Sequence, residues 1–209
     1  MTKVYPTPIT SVVVSPPKSS AASKNPVVFT VWKKSLLFNY DGFPVFDSNG
    51  NLVFRVDNYV TGGNGEIVLM DAFGRSVVTI GRKRISLSDT WQVHDGETTL
   101  VPRFSVTKHM NIFNTKSLAY VCKEGSSKNN DTRIPMYEID GSYAQRCCIV
   151  YDDMRRNVAE IRSKEAKGGT VALGVDVFRL VMQPSIDPAV AMALIVVLDQ
   201  MFGSSRRVF

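Results

Sequence analysis

A chain of 209 residues with 44% hydrophobic and 21% charged side chains has the composition of an ordinary globular protein, not of a fibrous or wholly disordered one. Its net charge of +6 and pI near 9.3 suit anionic partners such as lipid headgroups or nucleic acid, and equally a merely soluble surface. Three cysteines, Cys122, Cys147 and Cys148, do not make a disulfide framework and fit reduced thiols in a cytosolic or nuclear protein.

The chain begins without an apolar stretch behind a basic start, so no signal peptide is expected, and the Asn130-Asp131-Thr132 sequon is expected to stay unused. Residues 1–26 hold Pro6, Pro8, Pro16, Pro17 and Pro26 among serines and alanines. Such a stretch buries little and is expected to be a flexible tail, with Val12, Val13 and Val14 as the one place for a short edge strand. From residue 27 to 209 the texture is that of a single domain of short β-prone runs. VVFTVWKK reads as a strand, residues 35–40 as the next, and Asp41-Gly42 as a turn.

An internal repeat follows. VFDSNGNLVFRV from Val45, LMDAFGRSVVTI from Leu69 and VYDDMRRNVAEI from Val150 align without gaps. Two apolar residues precede Asp47, Asp71 and Asp152. Three positions later stand Gly50, Gly74 and Arg155, then Val53, Val77 and Val158, then Val56, Ile80 and Ile161. Each copy reads as a hairpin in which the Asp side chain bonds backbone two residues on and glycine supplies positive φ. Arg155 breaks the glycine pattern, so its turn is expected to differ or to be strained.

Further strands are expected at residues 66–70, in ISLSDTWQVHD, in FSVTKHMNIF and at residues 117–123. Residues 136–150 read as two strands around an Asp140-Gly141 turn. GSSKNND at 125–131 and KEAKGGT at 164–170 read as polar loops, and VDVFRLVM as the last strand.

The chain ends on DPAVAMALIVVLDQMFG. Asp187 is a good N-cap, Pro188 suits the first helical position, and Gly203 is expected to close the helix in the left-handed conformation. Residues 189–198 carry no polar side chain, so a helix over about 188–202 is apolar on every face and must be buried all round. The run is too short to span a membrane. Val190, Leu194, Ile195, Val197 and Leu198 are its expected core positions. About a dozen strands close best into an antiparallel barrel wider than strand side chains alone can fill. The helix supplies the filling.

VWKKSLLFNYDGFPVFDSNGNLVFRVDNY, LMDAFGRSVVTIGRKRISL, Trp91, VAEIRSK and GVDVFRLVMQPSIDPAVAMALIVVLDQ together resemble the plant LURP-one-related proteins. The resemblance implies the fold of the Tubby C-terminal domain and the phospholipid scramblases, a twelve-stranded barrel around a central helix. It also implies a non-enzymatic protein associated with pathogen defence, and, through Tubby, tethering to phosphoinositides. On that basis the chain is expected to be a cytoplasmic monomer, peripheral to the plasma membrane or nuclear.

Catalytic patterns are weak. His94 and His109 have no Cys or His at ligand spacing, so neither a metal nor another cofactor is expected. TGGNGE at 61–66 lacks the lysine and helix of a phosphate loop and reads as a hairpin tip. Asp152 and Asp153 diverge in a turn, and Cys147 and Cys148 have no base nearby in sequence. The clearest functional pattern is basic: Lys33-Lys34, Arg82-Lys83-Arg84, Arg155-Arg156, Arg162-Lys164-Lys167 and Arg206-Arg207. These either blunt strand edges or bind anionic headgroups, with Arg82, Lys83, Arg84, Arg155 and Arg156 as the candidate lipid contacts. In a continuing strand, Arg82 and Arg84 would point one way and Lys83 the other. Nucleic acid is a poorer partner, since the one long helix is committed to the core. A protein-interaction scaffold and a small-ligand-binding barrel remain the alternative readings.

Overall fold

The computed structural model describes residues 25–33, 43–59, 65–98, 100–110, 116–124, 134–164 and 176–203. Twelve strands and one helix lie within them. The strands are β1 (Val27–Trp32), β2 (Val45–Phe46), β3 (Leu52–Tyr59), β4 (Glu66–Asp71), β5 (Ser76–Arg82) and β6 (Thr90–Asp95). They continue with β7 (Phe104–Lys108), β8 (Ser117–Lys123), β9 (Tyr137–Ser142), β10 (Cys147–Asp152), β11 (Asn157–Ser163) and β12 (Val177–Met182). Each pairs antiparallel with its sequence neighbours, and β12 returns to β1, so the sheet closes into a barrel.

The helix α1 (Pro188–Phe202) fills that barrel. Val190, Leu194, Ile195, Val197 and Leu198 are buried, and so is every other residue from Ala189 to Leu198. Fifteen helical residues rise about 22 Å, close to the span of the six- and seven-residue strands around them. Alternation along the strands turns Val31, Val56, Leu69, Ile80, Val106 and Ile139 inward onto the helix.

In such a meander, successive loops alternate between the two ends of the barrel. Loops after even-numbered strands lie at the end that holds the helix N-cap; loops after odd-numbered strands lie at the end that holds its C-cap. Asp187 accepts the Ala189 N–H at 2.9 Å, as its N-cap position requires. Arg103, at the start of β7, holds its other oxygen at 3.1 Å.

The three repeats are three copies of one hairpin, all at the N-cap end. Asp47, Asp71 and Asp152 each use one carboxylate oxygen to accept two backbone N–H groups at 2.8–3.0 Å, from positions two and four residues on. Each hairpin also carries a bulge at the same place, after Val45, Leu69 and Val150. The third turn does not differ. Arg155 takes φ +59°, beside +84° for Gly50 and +81° for Gly74. A side chain in that region is strained. Salt bridges to Glu138 (2.6 Å) and Asp140 (3.3 Å), and the Tyr151 ring 4.6 Å away, hold Arg155 there.

Two glycines work otherwise than expected. Asp140-Gly141 is not a turn: β9 runs through it, and the hairpin closes over residues 143–146 with Arg146 at φ +53°. Gly141 takes φ +117°, and a Cβ there would collide with the Cys147 carbonyl of β10, so conformation and close approach both call for glycine. Gly203 has φ −65° and is not left-handed. Its N–H donates to the Asp199 carbonyl at 2.8 Å, and a Cβ would strike the backbone and side chain of Asp199. Tight packing over the helix end, not positive φ, fixes glycine here. The expected tail with Val12–Val14, the strand at 35–40, the Asp41-Gly42 turn, and the loops at 125–131 and 165–170 lie outside the described residues.

Candidate anionic-headgroup site

The candidate lipid contacts separate by barrel end. Arg155 and Arg156 follow β10 and stand at the N-cap end, where acidic side chains occupy both. Arg155 bridges Glu138 and Asp140, and Arg156 holds Asp152 at 2.7 Å. Burial opposes the charge on Asp152, but the Arg156 backbone N–H and guanidinium outweigh it and hold its carboxyl below the ordinary range. Arg82, Lys83 and Arg84 follow β5 and stand at the C-cap end. The strand stops at Arg82, so the expected alternation does not continue into Lys83 and Arg84, which begin the β5–β6 loop. Arg82 reaches Asp89 across that loop at 3.1 Å, and the Lys83 N–H donates to the Thr90 carbonyl at 2.9 Å.

Beside Arg82 is a recess of about 150 Å³. Val78, Ile80 and Val93 face the core, so Thr79, Gly81, Gln92 and His94 on the same strands face outward and line it. Thr79 pairs with His94 and Gly81 with Gln92 across β5 and β6, and Glu66 of β4 walls the other side. Gly81 leaves the floor open. Thr79 donates to the Gly96 carbonyl at 2.6 Å. His94 is only 6% exposed, and its Nδ1 has no hydrogen-bond partner among the described residues. Sequence reasoning missed Glu66, Thr79, Gln92 and His94 as a group. The outward period-2 positions of adjacent strands were the available signal, but their pairing register was not.

The remaining clusters have other work. Lys33 lies just past β1, and its Nζ sits 2.8 Å from Asp199, with both side chains mostly buried. Tyr143 donates its hydroxyl to the same Asp199 oxygen at 3.2 Å. Burial, reinforced by that carboxylate's charge, pushes the Tyr143 phenol well above its usual range. Arg146 is buried between the Tyr143 and Phe178 rings, 4.2 and 4.5 Å from their centroids. These groups clamp the helix C-terminus. Arg162 pairs with Glu160 at 2.7 Å. Lys34, Lys167, Arg206 and Arg207 lie outside the described residues.

Cys147 is exposed and Cys148 faces the core, the opposite orientations of strand neighbours. Burial, with the adjacent Cys147 adding to it, pushes the Cys148 thiol up to about 12, which keeps it protonated. Among the described residues no three His, Cys, Asp or Glu side chains gather to hold a metal ion. No described helix is long and apolar enough to cross a membrane.

The family profile described as LURP-one-related matches residues 27–199, from β1 to the Asp199 clamp. The chain belongs to the LURP-one-related family. Protein LURP-one-related 8 of Arabidopsis thaliana is 49% identical over 209 residues, spanning 98% of this chain and 100% of the relative. LURP-one-related 17 of the same plant is 43% identical over 187 residues, spanning 83% and 82% of the two chains. An X-ray structure of an Arabidopsis thaliana protein superposes with a TM-score of 0.59 at 24% identity, covering 86% of this chain and 93% of that one. That likeness shows the shared fold alone. The LURP-one-related profile ends within α1, so the family's common unit includes the helix that fills the barrel.

Proposed function

We propose that this LURP-one-related protein is a non-enzymatic regulatory module that tethers to anionic membranes through the C-cap end of its barrel. The observation that carries the reading is the Arg82-Lys83-Arg84 cluster at the rim of the polar recess. Glu66 makes that recess polar rather than uniformly positive, so attraction comes from the rim and selectivity from Gln92 and His94. Three surface cations contribute about 1 kcal/mol each near an anionic leaflet. That alone falls short of millimolar binding, about 4 kcal/mol, so contacts beyond charge are needed. On this reading a phosphoinositide places its phosphates against the basic rim, away from Glu66. Such a module would be cytoplasmic, peripheral to the plasma membrane or nuclear. A role in plant defence is the family-level part of this reading.

A second reading, a protein-interaction scaffold, is favoured by the N-cap end. Phe73, Leu100, Val101, Ile134 and Met154 stand exposed on successive loops there. Co-sedimentation with phosphatidylcholine vesicles, with and without phosphatidylserine or phosphoinositide, separates the two. Arg82→Ala with Lys83→Ala is expected to weaken binding to anionic vesicles several-fold at low salt, where screening is least. Wild-type protein that ignores anionic vesicles at low salt rules out the tether.

A further inference from the structure

The β5–β6 loop exposes its aliphatic side chains and bonds its hydroxyls to one another. Ile85 is 93% exposed and Leu87 fully so, although nothing in their chemistry favours water. Ser86 between them and Ser88 after them bond within the loop. Ser86 and Ser88 hydroxyls lie 3.2 Å apart, and each reaches the Thr90 hydroxyl, at 3.3 and 3.0 Å. Thr90 meets Thr107 of β7 at 3.2 Å. Arg82–Asp89 and the Asp89 carbonyl, which accepts the Lys108 N–H at 2.9 Å, tie down the loop's far side. The loop is thus held by its own hydroxyls with two branched apolar side chains pointing away from the protein. Such pre-ordering lowers the entropy lost on docking.

Charge complementarity identifies the occupant. Lys83 and Arg84 immediately precede Ile85, and exposed Met110 lies beyond the end of β7, where the Lys108 ammonium rests over the Phe202 ring at 4.6 Å. Cations at headgroup level with apolar tips beyond them match the two layers of a membrane interface. We propose that Ile85 and Leu87 insert into the acyl boundary of an anionic bilayer while Lys83 and Arg84 engage its headgroups. The inference rests on the membrane-tether reading and supplies the contacts beyond charge that it needs. Burial of two aliphatic side chains does not weaken with salt as ion pairing does.

The test is co-sedimentation of the full chain with phosphatidylcholine–phosphatidylserine vesicles at low and high salt, for wild type and for Ile85→Ser with Leu87→Ser. Both side chains are solvent-exposed, so the double variant is expected to keep the wild-type melting temperature. Loss of about tenfold in affinity, with the residual binding abolished by high salt, supports insertion. Quenching of Leu87→Trp fluorescence by brominated acyl chains supports it independently. Wild-type binding that the double variant matches at both salt concentrations overturns insertion while leaving the tether standing. Wild type that ignores the vesicles at low salt overturns the tether and insertion together. A double variant that changes the mass of the protein in solution, with vesicle binding unchanged, shows a second copy to be the occupant and overturns insertion.

Discussion

The two ends of the barrel are built from similar residues to different purposes. At the N-cap end, arginines meet carboxylates: Arg155 with Glu138 and Asp140, Arg156 with Asp152, Arg103 with Asp95 and Asp187. Three Asp-centred turns fix this end by bonding their own backbone. At the C-cap end, the β5–β6 loop bonds its serines to Thr90 and turns its aliphatic side chains outward. A basic dipeptide is therefore no guide by itself. Arg155-Arg156 is held by carboxylates and shapes a turn, while Arg82-Lys83-Arg84, with Arg82 on Asp89, borders a recess. The difference lies in what the neighbouring strands place opposite each cluster.

The largest expected effect removes what joins the two ends. A chain stopped after Ser185 lacks α1, and the barrel cannot collapse into the space left. It should be insoluble or lack a cooperative thermal transition, whereas a soluble, cooperatively melting product would show that the helix is dispensable. A smaller effect is expected at the C-cap clamp. Asp199→Asn leaves Lys33 mostly buried without its counter-charge and should cost about 1–3 kcal/mol in denaturant unfolding. Adding Lys33→Met should recover part of that loss, because the two side chains act as a pair. An unchanged midpoint for Asp199→Asn would mean that the clamp contributes nothing.

The smallest effect tests the strained turn at the N-cap end. Arg155→Ala keeps the unfavourable φ and loses the links to Glu138, Asp140 and Tyr151, so it should destabilise. Arg155→Gly loses the same links but relieves the backbone. It should therefore be more stable than the alanine variant by about 1 kcal/mol. Equal stabilities would show that the turn is relaxed despite its φ.

Much of this architecture was legible because it is local. The Asp187-Pro188 start and the unbroken apolar run over residues 189–198 set the helix and its burial with no knowledge of its neighbours. The Asp-centred hairpins were visible in the same way, since each carboxylate bonds backbone two and four residues on. Together these pointed to a barrel wrapped on a helix. What the sequence left open concerned groups that meet only after closure. Asp199 stands in the last turn of the apolar helix, and only barrel closure brings Lys33 to it. Gly203 was readable as a helix terminator, but its cause, contact with Asp199, appears only in the packed helix end. Strand register brought Thr79, Gln92 and His94 around one recess, and the parity of the strands sent the two arginine clusters to opposite ends. Capping and turn chemistry act within about four residues of chain, so sequence alone fixes them. Charge pairing and outward-facing sites depend on distances across the sheet, which exist only once the barrel has closed.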